Sequence, residues 1–200
     1  MKLYYAQNTR AVRIAWALEE LGLDYEIERF GLGDPAMRAP EFRAISPLGR
    51  VPVFEDGDLR LFESGAIMEY LLSRNDGFRP DPSDANFPTY LQWLHYCEGM
   101  IMPQINIIVV ETILLPPERR NDVNYKRASK LLNQMLSVVE GHMQGRDYLA
   151  GDFSGADMMT GHSVIVSRDM LKLDYSAFPA LDAYANRLLE RPALQKAMTL

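Results

Sequence analysis

The order in which strand-like and helix-like hydrophobic periodicity alternate along residues 1–77 constrains this chain more than any other feature. Lys2 to Tyr5 is a short apolar strand. Arg10 to Leu21 then places Val12, Ile14, Ala15, Leu18 and Leu21 at helical spacing before the stop at Gly22. Tyr25 to Phe30 alternates Tyr, Ile and Phe with Glu and Arg, which predicts a second strand. A loop over Gly31–Pro35 and a short helix within Pro40–Ile45 lead to the turn Ser46-Pro47-Leu48-Gly49. Val51–Phe54 and Leu59–Leu61 are short strands joined at Asp56-Gly57, a hairpin signal. Ser64 to Leu72 carries Ile67, Met68, Leu71 and Leu72 on one helical face. A right-handed β-α-β unit followed by a hairpin and a covering helix predicts a mixed sheet with helices on its faces.

Phe78 to Asp84 contains Pro80 and Pro82 among polar residues and reads as a linker. Everything after it reads as helix. Asn86 to Thr112 is a long apolar-rich segment with Pro103 inside, where a kink is expected. Glu118 to Met143 carries Leu131, Leu132, Met135, Leu136 and Val139 at helical spacing. Ser154-Gly-Ala-Asp157 fits a capping box, with Phe153 and Met158 placed as a hydrophobic staple. The helix after it is apolar nearly all round and so central to its domain, and helices near 177–190 and 192–198 close the chain. The fold class is therefore a small α/β domain (1–77), a linker (78–84) and an all-α domain (85–200).

Composition narrows the partners. A formal charge of -6 argues against non-specific nucleic-acid binding, which needs clustered Lys and Arg. The longest apolar run, Ile105 to Val110, falls short of the roughly 18 residues of a membrane span, so no membrane partner is expected. The first residues read directly as a strand rather than as a signal peptide. The single cysteine, Cys97, fits a reducing, cytoplasmic setting and reads as a packed small hydrophobe. His95, His142 and His162 show no metal-ligand spacing, and no metal is expected.

Two short segments carry chemistry. Val51-Pro52 opens a strand, and an X-Pro bond is where a cis peptide is cheap. A cis bond there turns the backbone groups of Val51 towards a ligand, available for strand addition; a trans proline on an edge strand is the simpler alternative. Glu63-Ser64 opens a helix, whose free N–H groups and dipole favour an anion. A plain N-cap is the alternative there. One hairpin separates the two segments, so both fall at the same end of one small sheet. Together they suit a small, anionic, peptide-like ligand.

Five segments in order resemble the cytosolic glutathione transferase family over nearly the whole chain. They are Met1-Lys-Leu-Tyr-Tyr5, Ala17-Leu-Glu-Glu-Leu-Gly-Leu23, Ser46-Pro-Leu-Gly-Arg-Val-Pro-Val53, Phe62-Glu-Ser-Gly-Ala-Ile67 and Phe153-Ser-Gly-Ala-Asp157. Leu91-Gln-Trp-Leu-His-Tyr-Cys-Glu-Gly99 further resembles bacterial and fungal branches. The resemblance implies a thioredoxin-like glutathione-binding domain, an all-helical domain supplying an electrophile pocket and dimer contacts, and a homodimer. Glutathione is the implied co-substrate, conjugated to a small electrophile in detoxification or used to reduce peroxides or disulfides. A non-enzymatic binding or regulatory protein on the same fold is the alternative.

Position by position, the resemblance implies that Val51 holds the cysteinyl backbone of glutathione beside a cis Pro52. Glu63 and Ser64 take the γ-glutamyl ammonium and carboxylate, and Arg50 lies near the glycyl carboxylate. The thiol must be ionised to react, and its free pKa is about 8.5. Half-ionisation at neutral pH needs roughly 2 kcal/mol, within reach of one hydrogen bond to the sulfur and a helix N-terminus. The family places that activating group in the turn Ala6-Gln-Asn-Thr-Arg10. The position of the catalytic cysteine in one bacterial class falls on Arg10, so the likeness is to branches without that cysteine. Thr9 and Asn8 are equal candidates for the sulfur-facing group, with Tyr5 behind them. Either Asn8 or Thr9 alternatively caps the first helix, and Arg10 and Arg13 either add positive potential or lie on a solvated face. Trp93, Tyr96, Met100 and Met102 lie on the helix whose family counterpart lines the electrophile pocket, and core or dimer contacts are the expected use of most of them.

Overall fold

The computed structural model describes all residues, Met1–Leu200. Its first sheet has the order β2-β1-β3-β4, with β1 at Lys2–Ala6, β2 at Glu26–Phe30, β3 at Val53–Asp56 and β4 at Leu59–Phe62. β1 pairs parallel with β2 through the crossover helix α1 (Ala11–Glu20) and antiparallel with β3. β3 and β4 form the antiparallel hairpin around Gly57, which has φ 59°. The short helix α2 (Pro40–Arg43) precedes β3, and α3 (Ser64–Arg74) follows β4. This is the thioredoxin-like arrangement.

Leu3, Tyr4, Tyr5 and Ala6 of β1 are all buried, as are Val53 and Phe54 of β3. α1 is buried from Ala11 to Leu18 without a solvent face. α3 contributes Ile67, Met68, Leu71 and Leu72 to the core, the face its sequence spacing predicts.

The boundary of the first unit differs from the expected 1–77. It comprises Met1–Arg79 together with Leu189–Leu200, so the last helix, α9 (Pro192–Thr199), belongs to it rather than to the helical domain expected over 85–200. Leu194 and Ala197 are fully buried in this unit. Arg191 grips Glu20 through two bonds of 2.6 and 2.8 Å, and Trp16 Nε1 donates to the same carboxylate at 2.8 Å. Lys196 pairs with Glu19 at 2.7 Å. Apolar spacing alone shows that a helix buries a face, not which neighbour it buries that face against.

The second unit, Pro80–Leu188, is helical. Phe87–Leu114 is one continuous helical stretch: α4 (Phe87–Tyr96), a π-turn at Cys97–Ile101, α5 (Met102–Val109) and a second π-turn at Val110–Leu114. Proline cannot donate a backbone hydrogen bond, and the wide turn immediately before Pro103 is one of the ways a helix absorbs that loss. Tyr90, Trp93, Leu94, Cys97, Ile101, Ile105 and Ile108 are buried, while Ile107, Val110, Ile113 and Leu114 are exposed. By length and composition this stretch is apolar enough to cross a membrane, with a mean hydropathy of 1.4 in its most apolar part. Glu98, Gly99, Pro103, Gln104, Asn106 and Glu111 break it into short apolar runs, of which the longest lies within Ile105 to Val110. The short run therefore does not by itself support the expectation of no membrane.

α6 (Asp122–Met143) starts at Asn121, whose side-chain oxygen accepts from the N–H groups of Val123 and Asn124 at 2.9 and 3.1 Å. A π-turn at Asp157–Gly161, α7 (His162–Ile165) and a third wide turn at Val166–Met170 make the buried central helix, and α8 (Pro179–Leu189) packs beside it. Gly161 leaves no room for a Cβ against Leu188 and the Tyr184 hydroxyl. Trp93 is buried, Tyr96 half-buried, Met102 buried and Met100 exposed. Cys97 is buried with its Sγ 3.0 Å from Ser163 Oγ and 3.2 Å from the Met159 carbonyl.

Half of the expected capping box forms, because the Asp157 N–H donates to the Ser154 carbonyl rather than to its hydroxyl. Asp157 accepts from the Ser154 N–H at 2.9 Å and the Ser154 hydroxyl at 3.2 Å. Its second oxygen accepts from the Leu149 N–H at 3.0 Å and the Tyr184 hydroxyl at 2.7 Å. Burial nevertheless pushes this carboxyl up to about 6, against the pull of those donors. The folded state thus holds a proton that an unfolded aspartate has already released, and the contribution is largest at low pH. It is lost as pH rises from 3.8 through about 6. Two outcomes are expected. Asp157→Ala strands four buried donors and lowers unfolding free energy by at least about 3 kcal/mol in urea titration. Over that pH window, the stability advantage of the natural chain over Asp157→Asn shrinks by a few kcal/mol as pH rises.

Candidate active site

Three loops meet at one end of the first sheet because of strand direction. β1 runs towards Ala6, and the pairs Tyr4↔Val53 and Val53↔Phe62 bring the start of β3 and the end of β4 to that same end. The turn after β1, the segment before β3 and the start of α3 are therefore neighbours, although about 50 residues separate the first from the last.

The segment before β3 is held rigidly. The hydroxyl of Ser46, buried, donates to the Arg50 carbonyl at 2.8 Å and accepts from the Arg50 N–H at 3.0 Å. Gly49 has φ 60°, and its N–H donates to the Ser46 carbonyl at 2.8 Å. A Cβ at Gly49 would collide with the carbonyl oxygen of Met37. The Val51-Pro52 peptide is cis. Pro52 is buried and Val51 is half-buried against Tyr4, Met37, Phe42 and Val53. The strand ladder begins only at Val53, so Val51 lies beyond it. Arg50 is exposed beside it.

Glu63 adopts φ 74° and ψ 110°, a left-handed conformation that a glutamate holds only where its surroundings impose it. It precedes α3 and leaves its side chain exposed, while Ser64 is buried at the first position of the helix. No side chain caps this end. The guanidinium of Arg13, completely buried on α1, donates to Ser64 Oγ at 3.4 Å. Helix N–H groups, a hydroxyl and a buried cation converge here, and such a group of donors favours a carboxylate.

Of the two readings of Arg13, the solvated face fails. Trp16 and Ala17, at the helical neighbours i+3 and i+4, are apolar and were the available signal that this position points inward.

The turn after β1 places the three candidates in different surroundings. Thr9 donates its hydroxyl proton to the Ala6 carbonyl at 2.6 Å and accepts from the Ala11 N–H at 3.2 Å. Its hydroxyl thus closes the turn that leads into α1. Tyr5 is buried and donates its hydroxyl to the Ala197 carbonyl at 2.8 Å, and burial pushes its ionisation up to about 12. Asn8 is exposed at the apex with φ 60°. Gln7, which sequence reasoning passed over, donates through Nε2 to the Met198 carbonyl at 2.8 Å. No group of three or more His, Cys, Asp or Glu is placed to hold a metal ion.

A mixed thioredoxin-like sheet with a donor-rich helix start, followed by an all-helical unit, defines a two-part protein built for a small acidic ligand. Comparison with known proteins gives the family. Residues 1–73 match the model of the glutathione S-transferase N-terminal domain, and residues 101–192 match that of the C-terminal domain. Glutathione S-transferase 1 of Zea mays is 31% identical over 100% of this chain and 96% of its own. Glutathione S-transferase 3 of Schizosaccharomyces pombe is 31% identical over 78% of this chain and 69% of its own. A glutathione transferase structure from Pseudomonas putida, with one glutathione disulfide bound per subunit, superposes with a TM-score of 0.88. It is 26% identical and covers 100% of this chain and 90% of its own. A homologue from Lodderomyces elongisporus, with two glutathione molecules per subunit, gives a TM-score of 0.88 at 26% identity over 99% and 97% of the two chains. The chain belongs to the glutathione S-transferase family.

The rigid turn before Val51 yields a direct test. Gly49→Ala places a side chain in a left-handed conformation and against a backbone carbonyl, and is expected to cost about 2 kcal/mol or more in urea unfolding.

Proposed function

We propose that this chain is a glutathione transferase that binds glutathione across Arg50, Val51, Pro52, Glu63 and Ser64 and presents its thiol to Asn8. The observation that carries the reading is the uncapped start of α3, whose free N–H groups and Ser64 hydroxyl suit the γ-glutamyl carboxylate, with the buried Arg13 guanidinium behind Ser64 adding positive charge. The exposed carboxylate of Glu63 suits the adjacent ammonium. The backbone of Val51, beyond the ladder, suits the cysteinyl amide. Relatives bearing the transferase name over the full length of this chain support the same reading.

The chemistry asked of the protein is modest. The thiol proton leaves for solvent, the thiolate forms a carbon–sulfur bond with a small electrophile, and the leaving group departs with the electron pair of the broken bond. Asn8 lowers the cost of the thiolate by donating its amide N–H to sulfur. Thr9 does not share this role, since its one proton is committed to Ala6. Tyr5 is likewise committed to Ala197. The protein acts as a cytoplasmic homodimer in detoxification; the single buried cysteine and the absence of disulfides suit a reducing compartment.

Three variants and one binding measurement test this. Calorimetry with glutathione should give saturable binding, and an activated aryl chloride should be conjugated. No glutathione binding overturns the reading. Ser64→Ala should weaken glutathione binding about tenfold, the size of one charge-assisted bond. Asn8→Ala should raise the pH at which bound thiolate absorbance appears and lower kcat about tenfold or more. Thr9→Ser, which keeps the hydroxyl, should leave kcat within about twofold.

A further inference from the structure

Asn8 forms no side-chain bond that fixes it, so its direction is set by the backbone of its turn. That turn is fastened from outside. Tyr5 and Gln7, on either side of Ala6, both donate to the last turn of α9, at Ala197 and Met198. Carbonyls in the last turn of a helix have no intrahelical partner, so they are free to accept these bonds. α9 is in turn fixed to α1 by the Arg191–Glu20 and Lys196–Glu19 pairs and by buried Leu194 and Ala197.

We infer that Gln7 and Tyr5 are positioning residues, and that through them the C-terminal helix sets where Asn8 meets the thiol. This inference rests on the transferase reading above. One link, Tyr5 to Ala197, is buried and therefore resists competition from water. The other, Gln7 to Met198, is exposed and lies one residue from Asn8. The buried link holds the strand end in place, and the exposed link orients the turn. The substrate clamp at Val51, Glu63 and Ser64 has no part in either bond, so binding and activation are separable.

The test is a comparison of Gln7→Met, Gln7→Lys and Tyr5→Phe with the natural chain. Four readouts are needed: glutathione KM, kcat, the pH profile of bound thiolate absorbance, and urea unfolding. Gln7→Met keeps the side-chain length and removes the donor. It should shift the thiolate profile upward by about half a pH unit or more and lower kcat several-fold, with KM for glutathione within about twofold. Gln7→Lys restores a donor and should recover most of both. Tyr5→Phe should shift the profile the same way. If it unfolds the protein, the exposed Gln7 variants carry the decision alone. A thiolate profile and kcat unchanged in Gln7→Met overturn the inference, as does a loss confined to stability. An unchanged Gln7→Met alongside a shifted Asn8→Ala defeats only this inference. Absence of glutathione binding by the natural chain defeats the transferase reading and this inference with it.

Discussion

A guanidinium buried in the first helix is the constraint around which the candidate site is arranged. Arginine does not shed its proton in a protein, so burying Arg13 obliges the fold to surround it with acceptors or to bring an anion to it. The α1 face that carries it meets the start of α3, where Ser64 takes one of its hydrogen bonds. Everything else at that end of the sheet follows from holding these two helix starts together. The strand order β2-β1-β3-β4 places them side by side, and the left-handed Glu63 delivers the chain into α3 at that point.

Two kinds of rigidity serve the site. The segment before β3 is locked within itself, by the paired bonds between Ser46 and Arg50 and by the close approach of Gly49 to Met37. The turn after β1 is locked from elsewhere, by the last helix of the chain. The first suits recognition of a peptide backbone, whose geometry hardly varies. The second leaves an exposed asparagine at the apex of a short turn.

Much of this was legible in residue order. The hairpin at Asp56-Gly57, the helix opened by Ser64 and the box at Ser154–Asp157 are local, and local chemistry is what a sequence displays most directly. The cis bond at Val51-Pro52 was available as one of two alternatives. What escaped was tertiary. Residues 192–199 were legible as a helix but not as part of the first unit, because apolar spacing does not name a neighbour. The different surroundings of Thr9 and Asn8 were hidden, because the bond that occupies Thr9 ends on a backbone carbonyl that every residue possesses. The π-turn before Pro103 was likewise invisible, since a proline announces a lost hydrogen bond but not the manner of its repair.

The return of residues 189–200 to the first unit gives that unit a peculiar relation to time. A chain is made from its N-terminus, and a domain ordinarily folds once its own residues have emerged. Here the strand carrying Tyr5 finds its acceptor 192 positions later. The sheet can assemble early, but Tyr5 and Gln7 wait for their partners until residues 197 and 198 have been made. The candidate catalytic turn is thus synthesised well before the helix that fastens it.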